Sequence, residues 1–194
     1  MTGRDAPRGR RRDPEGRRRA IVEAACALIP DTGIHGLSHR LVAARAGVPL
    51  GATTYYFTDL ADLSRAALEH AAARWTEELR AWATALRDSD DVPAALAALA
   101  ARYAEDRPRA LIEAELYTAA ARRPELRPLA HLWFDGLVRV LRAHTTPAAA
   151  TATALLLDGA LLRALRDEDP VDVTELTAAL RTLMGDGPEV SGRR

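Results

Sequence analysis

The chain has 194 residues, a formal net charge of zero and 48% hydrophobic residues, enough to bury a substantial core in one medium domain or in a small domain plus a larger one. Trp, Tyr and Phe together make up only 5% and β-branched runs are absent, which disfavours a sheet-rich fold and points to an all-α protein. All 27 basic residues are arginine, and the single cysteine, Cys26, excludes an internal disulfide, which fits a reducing, cytoplasmic setting.

The zero net charge conceals a polarity along the chain. Residues 1–57 hold 10 arginines against 5 acids, net +5, and residues 58–194 hold 17 against 22, net −5. Residues 1–19 alone carry 8 arginines and 3 acids. A basic end suits phosphate contact and counterion release, so a nucleic-acid partner would meet that end of the molecule.

In chain order, residues 1–16 are rich in Arg, Gly, Pro and Asp with almost no large apolar side chain, and read as a disordered arm. No apolar stretch follows the arm as it would in a signal peptide, and the leucine-rich residues 155–165 are short and broken by Asp158 and Arg163, so no membrane span is expected. The first helix is expected over residues 17–29, with Ala20, Ile21, Ala24, Ala25, Leu28 and Ile29 on one stripe and Pro30-Asp-Thr-Gly33 ending it. Ser38 is a good N-cap for a second helix running to Ala46, and Gly47 supplies the turn after it. A third helix over residues 50–57 is only two turns long and must be held by packing through Val48, Thr53 and Phe57.

Asp59-Leu-Ala-Asp62 resembles a capping box with Asp in place of Glu, and opens a long helix whose apolar positions Leu60, Leu63, Ala67, Ala71, Trp75, Leu79, Trp82 and Leu86 continue to the break at Asp88-Ser-Asp-Asp91. Further helices are expected at residues 93–104, 108–122, 128–143, 147–166 and 172–184, four of them with proline at or near the start, where its missing N–H does no harm. Residues 17–58 then form a small helical domain, 59–185 a larger helical domain, and 186–194 a flexible tail.

Two short helices joined by Gly47-Val-Pro-Leu-Gly-Ala-Thr-Thr-Tyr-Tyr-Phe57 match a helix-turn-helix, whose second helix enters the major groove while the first crosses the backbone. That arrangement brings Leu50, Gly51, Ala52, Thr54, Tyr55 and Tyr56 near DNA, with Ser38, His39 and Arg40 at the start of the preceding helix and Arg17 and Arg18 where the basic arm meets the first one. Gly51 and Ala52 let the backbone approach closely, the tyrosines offer hydroxyls to phosphates, and Arg40 can reach phosphate or guanine. A Tyr-Tyr-Phe run also serves as packing material, and both uses stay open.

The segment from Ile21 to Leu63 resembles the N-terminal DNA-binding domain of TetR-family transcriptional regulators. The matching elements are Ile21-Val-Glu-Ala-Ala-Cys-Ala-Leu28 with Gly33, Arg40-Leu-Val-Ala-Ala-Arg-Ala-Gly-Val48, and the tyrosine pair with Phe57. A weaker likeness to one C-terminal subgroup runs through Ala114-Glu-Leu-Tyr-Thr-Ala-Ala-Ala-Arg-Arg-Pro-Glu-Leu126 and Leu155-Leu-Leu-Asp-Gly-Ala160. Many members carry serine where Pro49 stands, lysine at Leu50 and Leu60, and tyrosine at Thr54. Their loss here removes two cations and a phenol and throws weight onto the arginine arm, Arg40, Tyr55 and Tyr56.

The resemblance implies a homodimer built on the last two helices. By periodicity alone Val173, Leu176, Leu180 and Leu183 make a seam, and residues 155–165, with Leu155, Leu161, Leu162 and Leu165, are apolar nearly all round, which suits either an interface or the protomer's own core. The resemblance also implies a small-molecule pocket among the middle helices. Candidates are Trp75, Trp82, Tyr103, Glu113, Glu115, Tyr117, His131 and Phe134, since aromatic walls with a few polar groups describe a ligand site. Trp75, Trp82 and Trp133 equally fit core stripes, and the glutamates could pair with Arg109 or Arg123. No catalytic constellation, metal-ligand spacing or cofactor motif is present in the sequence. The reading is a non-enzymatic, ligand-responsive regulator, most simply a repressor, that binds a pseudo-palindromic operator as a homodimer. The rival is an α-helical enzyme or small-molecule carrier whose basic end does not read DNA sequence.

Overall fold

Capping acids, prolines and glycines divide residues 13–185, the part of the chain described by the computed structural model, into nine α-helices and two one-turn 3-10 helices with no strand among them. The helices are α1 (Pro14–Thr32), α2 (His39–Ala46), α3 (Leu50–Tyr56), α4 (Leu60–Arg87), α5 (Val92–Glu105), α6 (Arg107–Arg122), α7 (Arg127–Leu141), α8 (Pro147–Asp167) and α9 (Val173–Met184), with 3-10 turns at Ile34–Gly36 and Pro124–Leu126. The first twelve residues of the expected arm and the tail at 186–194 lie outside the described residues.

Helix α1 opens earlier than its apolar stripe suggests. Asp13 accepts a hydrogen bond from the Gly16 N–H at 2.8 Å and Pro14 sits in the first turn, so Pro14 to Gly16, expected in the arm, are helical. Pro30 does not end the helix either. Proline removes a single backbone hydrogen bond, and the end is closed by the Thr32 hydroxyl donating to the Leu28 carbonyl (3.0 Å) and the Gly33 N–H donating to the Ile29 carbonyl (2.8 Å).

Ser38 caps α2 by accepting from the Leu41 N–H at 3.2 Å. Gly47 then takes the left-handed conformation (φ 64°, ψ 33°), which only glycine adopts without cost. Asp59 caps α4 from the Asp62 N–H at 2.8 Å, but the reciprocal half of the capping box does not form: the Asp62 carboxylate turns to Arg65 at 2.7 Å. Asp is one methylene shorter than the Glu that normally reaches back.

At 28 residues, α4 is a rod of about 40 Å that joins the two parts of the molecule. Its first turns pack on α1 and its later turns on α5, α6 and α7. Ile21, Ile29, Val42, Phe57, Leu63 and Leu68 towards the N-terminal end, in the head, and Trp82, Leu86, Leu96, Leu116, Leu126 and Leu137 beyond it, in the larger bundle, belong to one continuous buried core. Helix α9 lies mainly against α5, through Leu176, Leu180 and Met184. Helix α8 is apolar and long enough to cross a membrane by composition, yet Ala150, Ala154, Leu157 and Leu161 are buried against neighbouring helices of the same chain. Its exposed leucines, Leu155 and Leu162, are 59% and 51% accessible.

Candidate functional site

The head presents one face of α3 to solvent. Thr53 is fully buried, its hydroxyl donating to the Leu50 carbonyl at 2.8 Å, and Phe57 is buried beside it. Val48, Ala52 and Tyr56 are half-buried against the same core. This leaves Leu50, Gly51, Thr54 and Tyr55 outward, Leu50 half exposed and Tyr55 82% exposed. Positions 50, 51, 54 and 55 share one face of a helix, while 53, 56 and 57 share the other. The tyrosines therefore divide: Tyr55 is free and Tyr56 packs, with the two rings edge to face at 5.1 Å.

Arg40 is exposed in the first turn of α2. Ser38 uses its side chain as the cap, and His39 is half-buried with an Nδ1 that finds no partner. Arg17 and Arg18 are exposed on α1, and the Arg18 guanidinium lies 5.1 Å over the Phe57 ring. That contact ties the basic end of α1 to the last residue of the turn-helix unit.

The expected ligand residues separate into three places. Trp82, Tyr103 and Trp133 form one aromatic cluster inside the bundle, Tyr103 stacked on Trp133 at 4.7 Å and Trp82 edge-on to both at 6.0 and 5.6 Å. Trp75 lines a cleft of about 550 Å³ between α1, α4 and α6, with Cys26, Arg74 and Ile112. His131 is exposed on a separate groove between α4 and α7, lined also by Leu79 and Leu132, and Phe134 is half-buried against the core. Burial in the cleft raises the Cys26 thiol above its ordinary value, which keeps it protonated and unreactive.

The aromatic cluster adjoins buried acid. Glu113, on α6, is 1% exposed; the Tyr103 hydroxyl donates to its Oε2, while Oε1 has no partner. Desolvation pushes the Glu113 carboxyl up to about 7 and the nearby Asp158 charge adds to the rise; Asp158 on α8 is itself lifted to about 6 by burial. The same desolvation, reinforced by Glu113, raises the Tyr103 and Tyr117 hydroxyls, so both stay donors. The Tyr117 hydroxyl and the Thr153 hydroxyl are also buried without partners.

Nor is the acid pair neutralised by arginine. Arg109 packs 4.3 Å over the Tyr103 ring but gives its ion pair to Glu78 at 2.9 Å, and Arg123 pairs with Glu125 at 3.0 Å. Glu78 accepts from the Trp82 indole N–H as well, at 2.9 Å. Among the described residues neither Glu113 nor Asp158 forms an ion pair. Between Trp82, Tyr103, Trp133, Leu157 and Asp158 the free space is only about 20 Å³, close to the room one water needs. Sequence reading missed Asp158 and Trp133 as pocket residues, although a charge inside the apolar run of α8 was the available signal for the first.

The leucines of α8 and α9 also separate. Leu161, Leu176 and Leu180 are buried in the protomer's own core and Leu165 is half-buried against it; Leu155, Leu162 and Leu183 are exposed, as is Val173. The expected seam on α9 is thus split, because Leu176 and Leu180 face α5 while Val173 and Leu183 turn outward.

Residues 87–186 match the family profile described as tetracyclin repressor-like, C-terminal domain. Among solved structures the chain is similar to a member of the TetR family from Streptomyces coelicolor A3, with 39% identity over 87% of this chain and 98% of that one at a TM-score of 0.77. It is also similar to the multidrug binding protein EbrR complexed with imidazole (39% identity, 93% of this chain and 100% of that one, TM-score 0.77) and complexed with ethidium (39%, 87% and 99%, 0.75). Other EbrR structures hold proflavin and malachite green. No curated protein matches the chain. With an all-α architecture, a profile match over half its length and relatives at this identity along nearly its whole length, the chain belongs to the TetR family of regulators.

Proposed function

We propose that this protein is a homodimeric, non-enzymatic transcriptional repressor that reads a pseudo-palindromic operator and is released from it by a lipophilic aromatic cation. The DNA-reading half rests on the outward face of α3, Leu50, Gly51, Thr54 and Tyr55, with Arg40 exposed beside it. Helix α3 is too short and too poor in cations to supply much attraction, so arginines of the N-terminal region provide it and α3 provides register. Exposed Leu155, Leu162, Val173 and Leu183 supply the second copy's interface, and two heads then meet half-sites about one helical turn apart or a multiple of it.

The observation that carries the effector half is Glu113, a nine-tenths buried carboxyl with an orphaned oxygen, next to Asp158 and three aromatic rings. A cation would offset the negative charge that Glu113 and half-buried Asp158 acquire on losing their protons, and an aryl cation would also stack on the neighbouring indole and phenol faces. EbrR, at 39% identity, is a multidrug binding protein solved with ethidium. Because the space is closed, the cation binds an opened conformation, and it acts on DNA binding only by preferring that state.

Capture of genomic fragments by the purified protein, followed by footprinting, tests the DNA half. A protected palindrome is the expected result, and salt-sensitive binding with no preferred duplex would leave the carrier reading in its place. Fluorescence titration of the DNA-free protein with ethidium tests the effector half, which fails if no saturable binding is seen.

A further inference from the structure

We propose that Glu115 is the positioning residue through which α6 reports occupancy of the acid pocket to the reading head. The proposal rests on the effector reading above. Ile34 opens the 3-10 turn that leads through buried Leu37 to the cap of α2, and its N–H, at the first position of that turn and with no side-chain cap at Gly33, has no partner within the turn. Its partner comes from across the molecule: the Ile34 N–H donates to Glu115 Oε2 at 2.9 Å, 81 residues away in sequence. Gly33 has φ +65°, and a side chain there would meet both Glu115 oxygens at 3.4 Å, so the carboxylate lies directly over the glycine. Among the described residues this is the one hydrogen bond between residues 13–58 and 59–185. The rest of that junction is side-chain packing of α1 on α4 and α6, which can slide without a discrete break.

At 100° per residue, Glu113 and Glu115 point to nearly opposite sides of α6, and Tyr117 returns to the side of Glu113. One helix thus carries the pocket's acid on one side and the head's clasp on the other. Helix α6 is continuous from Arg107 to Arg122, so displacement at Glu113 is delivered to Glu115 within two residues. The space between Asp158 and Tyr103, whose hydroxyl donates to Glu113, is about 20 Å³, and an aromatic cation enters only if the surrounding helices separate. A hydrogen bond at 2.9 Å does not survive a shift of about 1 Å, and its loss frees the turn that aims α2 and α3.

The test is residue-resolved amide exchange at Ile34 in the DNA-free protein with and without ethidium, on wild type, Glu115→Ala and Glu115→Gln, with ethidium affinity measured in parallel. In wild type, ethidium should speed Ile34 exchange about tenfold, the loss of one charge-assisted hydrogen bond. Glu115→Gln, whose carbonyl still accepts, should respond similarly. Glu115→Ala should exchange fast in both states and bind ethidium more tightly than wild type, by up to about tenfold, because no clasp has to open. Unaltered Ile34 exchange in ethidium-saturated wild type overturns the proposal, as does an undiminished response in Glu115→Ala. Should Glu115→Ala misfold, the wild-type and Glu115→Gln measurements decide. Failure of ethidium to bind wild type at all overturns the effector reading and the clasp with it, so the two failures are told apart.

Discussion

Glu113 is held against its chemistry. In the fold its carboxyl ionises near pH 7, against 4.5 for an exposed glutamate, so between those values the folded chain keeps a proton that the unfolded chain has lost. The associated stability is therefore complete below about pH 4.5 and declines as the pH rises to 7. Glu113→Gln retains the acceptor for Tyr103 and carries no charge. Its melting temperature should match wild type near pH 4.5 and exceed it by several degrees at pH 8, as thermal unfolding at the two pH values would show. The same proton competes with the effector. Affinity for ethidium, whose charge does not titrate, should rise with pH between 5.5 and 7.5 by up to about tenfold per unit, while Glu113→Gln binds weakly and with little slope. A steep slope surviving in Glu113→Gln would shift the role to Asp158, which burial lifts to about 6.

Among elements, α3 is the least self-sufficient: seven residues, a proline at its N-cap position and no side-chain cap. Its orientation depends on Gly47, whose left-handed backbone sets the angle between α2 and α3. Nothing lies within 4 Å of the position a Gly47 side chain would occupy, so the cost of substitution there is conformational and not steric. Gly47→Val should lose about 1–2 kcal/mol in denaturant unfolding, and Gly47→Asn most of that loss less, because asparagine visits the left-handed region readily. Equal losses for the two would point to a packing cause instead. Helices α4 and α6 form the opposite extreme, long and continuous, and both contact the head through α1, which suits them to carry a displacement.

At the scale of the whole molecule, an apolar surface remains on α8 and α9 after the protomer has filled its own core. Leu155 and Leu162 are more than half exposed and stand seven residues apart on one face of α8. Leu155→Glu with Leu162→Glu should yield a folded monomer by sedimentation velocity, helical by circular dichroism. Leu180→Ala, at a position with no exposed surface, should instead cost the fold about 2–5 kcal/mol. A dimer that persists in the double glutamate variant would move the interface elsewhere.

Helix number, type and most boundaries were legible in the chain itself, because they follow from local rules: capping Asp and Ser, proline in first turns, a left-handed Gly47 and apolar periodicity. The errors were local too. The early start of α1 depended on Asp13 acting as a cap, and its late end on hydrogen bonds closing around Pro30. The family resemblance was carried by a head whose residues are contiguous in sequence. What only tertiary structure decided was which side chains meet across helices. Periodicity marks Leu176, Leu180 and Leu183 as one stripe without saying which edge faces α5, and marks Trp75, Trp82 and His131 as aromatic without assigning them to three separate cavities. Asp158 beside Glu113, Arg109 committed to Glu78, and Glu115 reaching Ile34 join residues 31 to 81 positions apart. Such pairings are set by how whole helices pack, and no spacing within one helix encodes them.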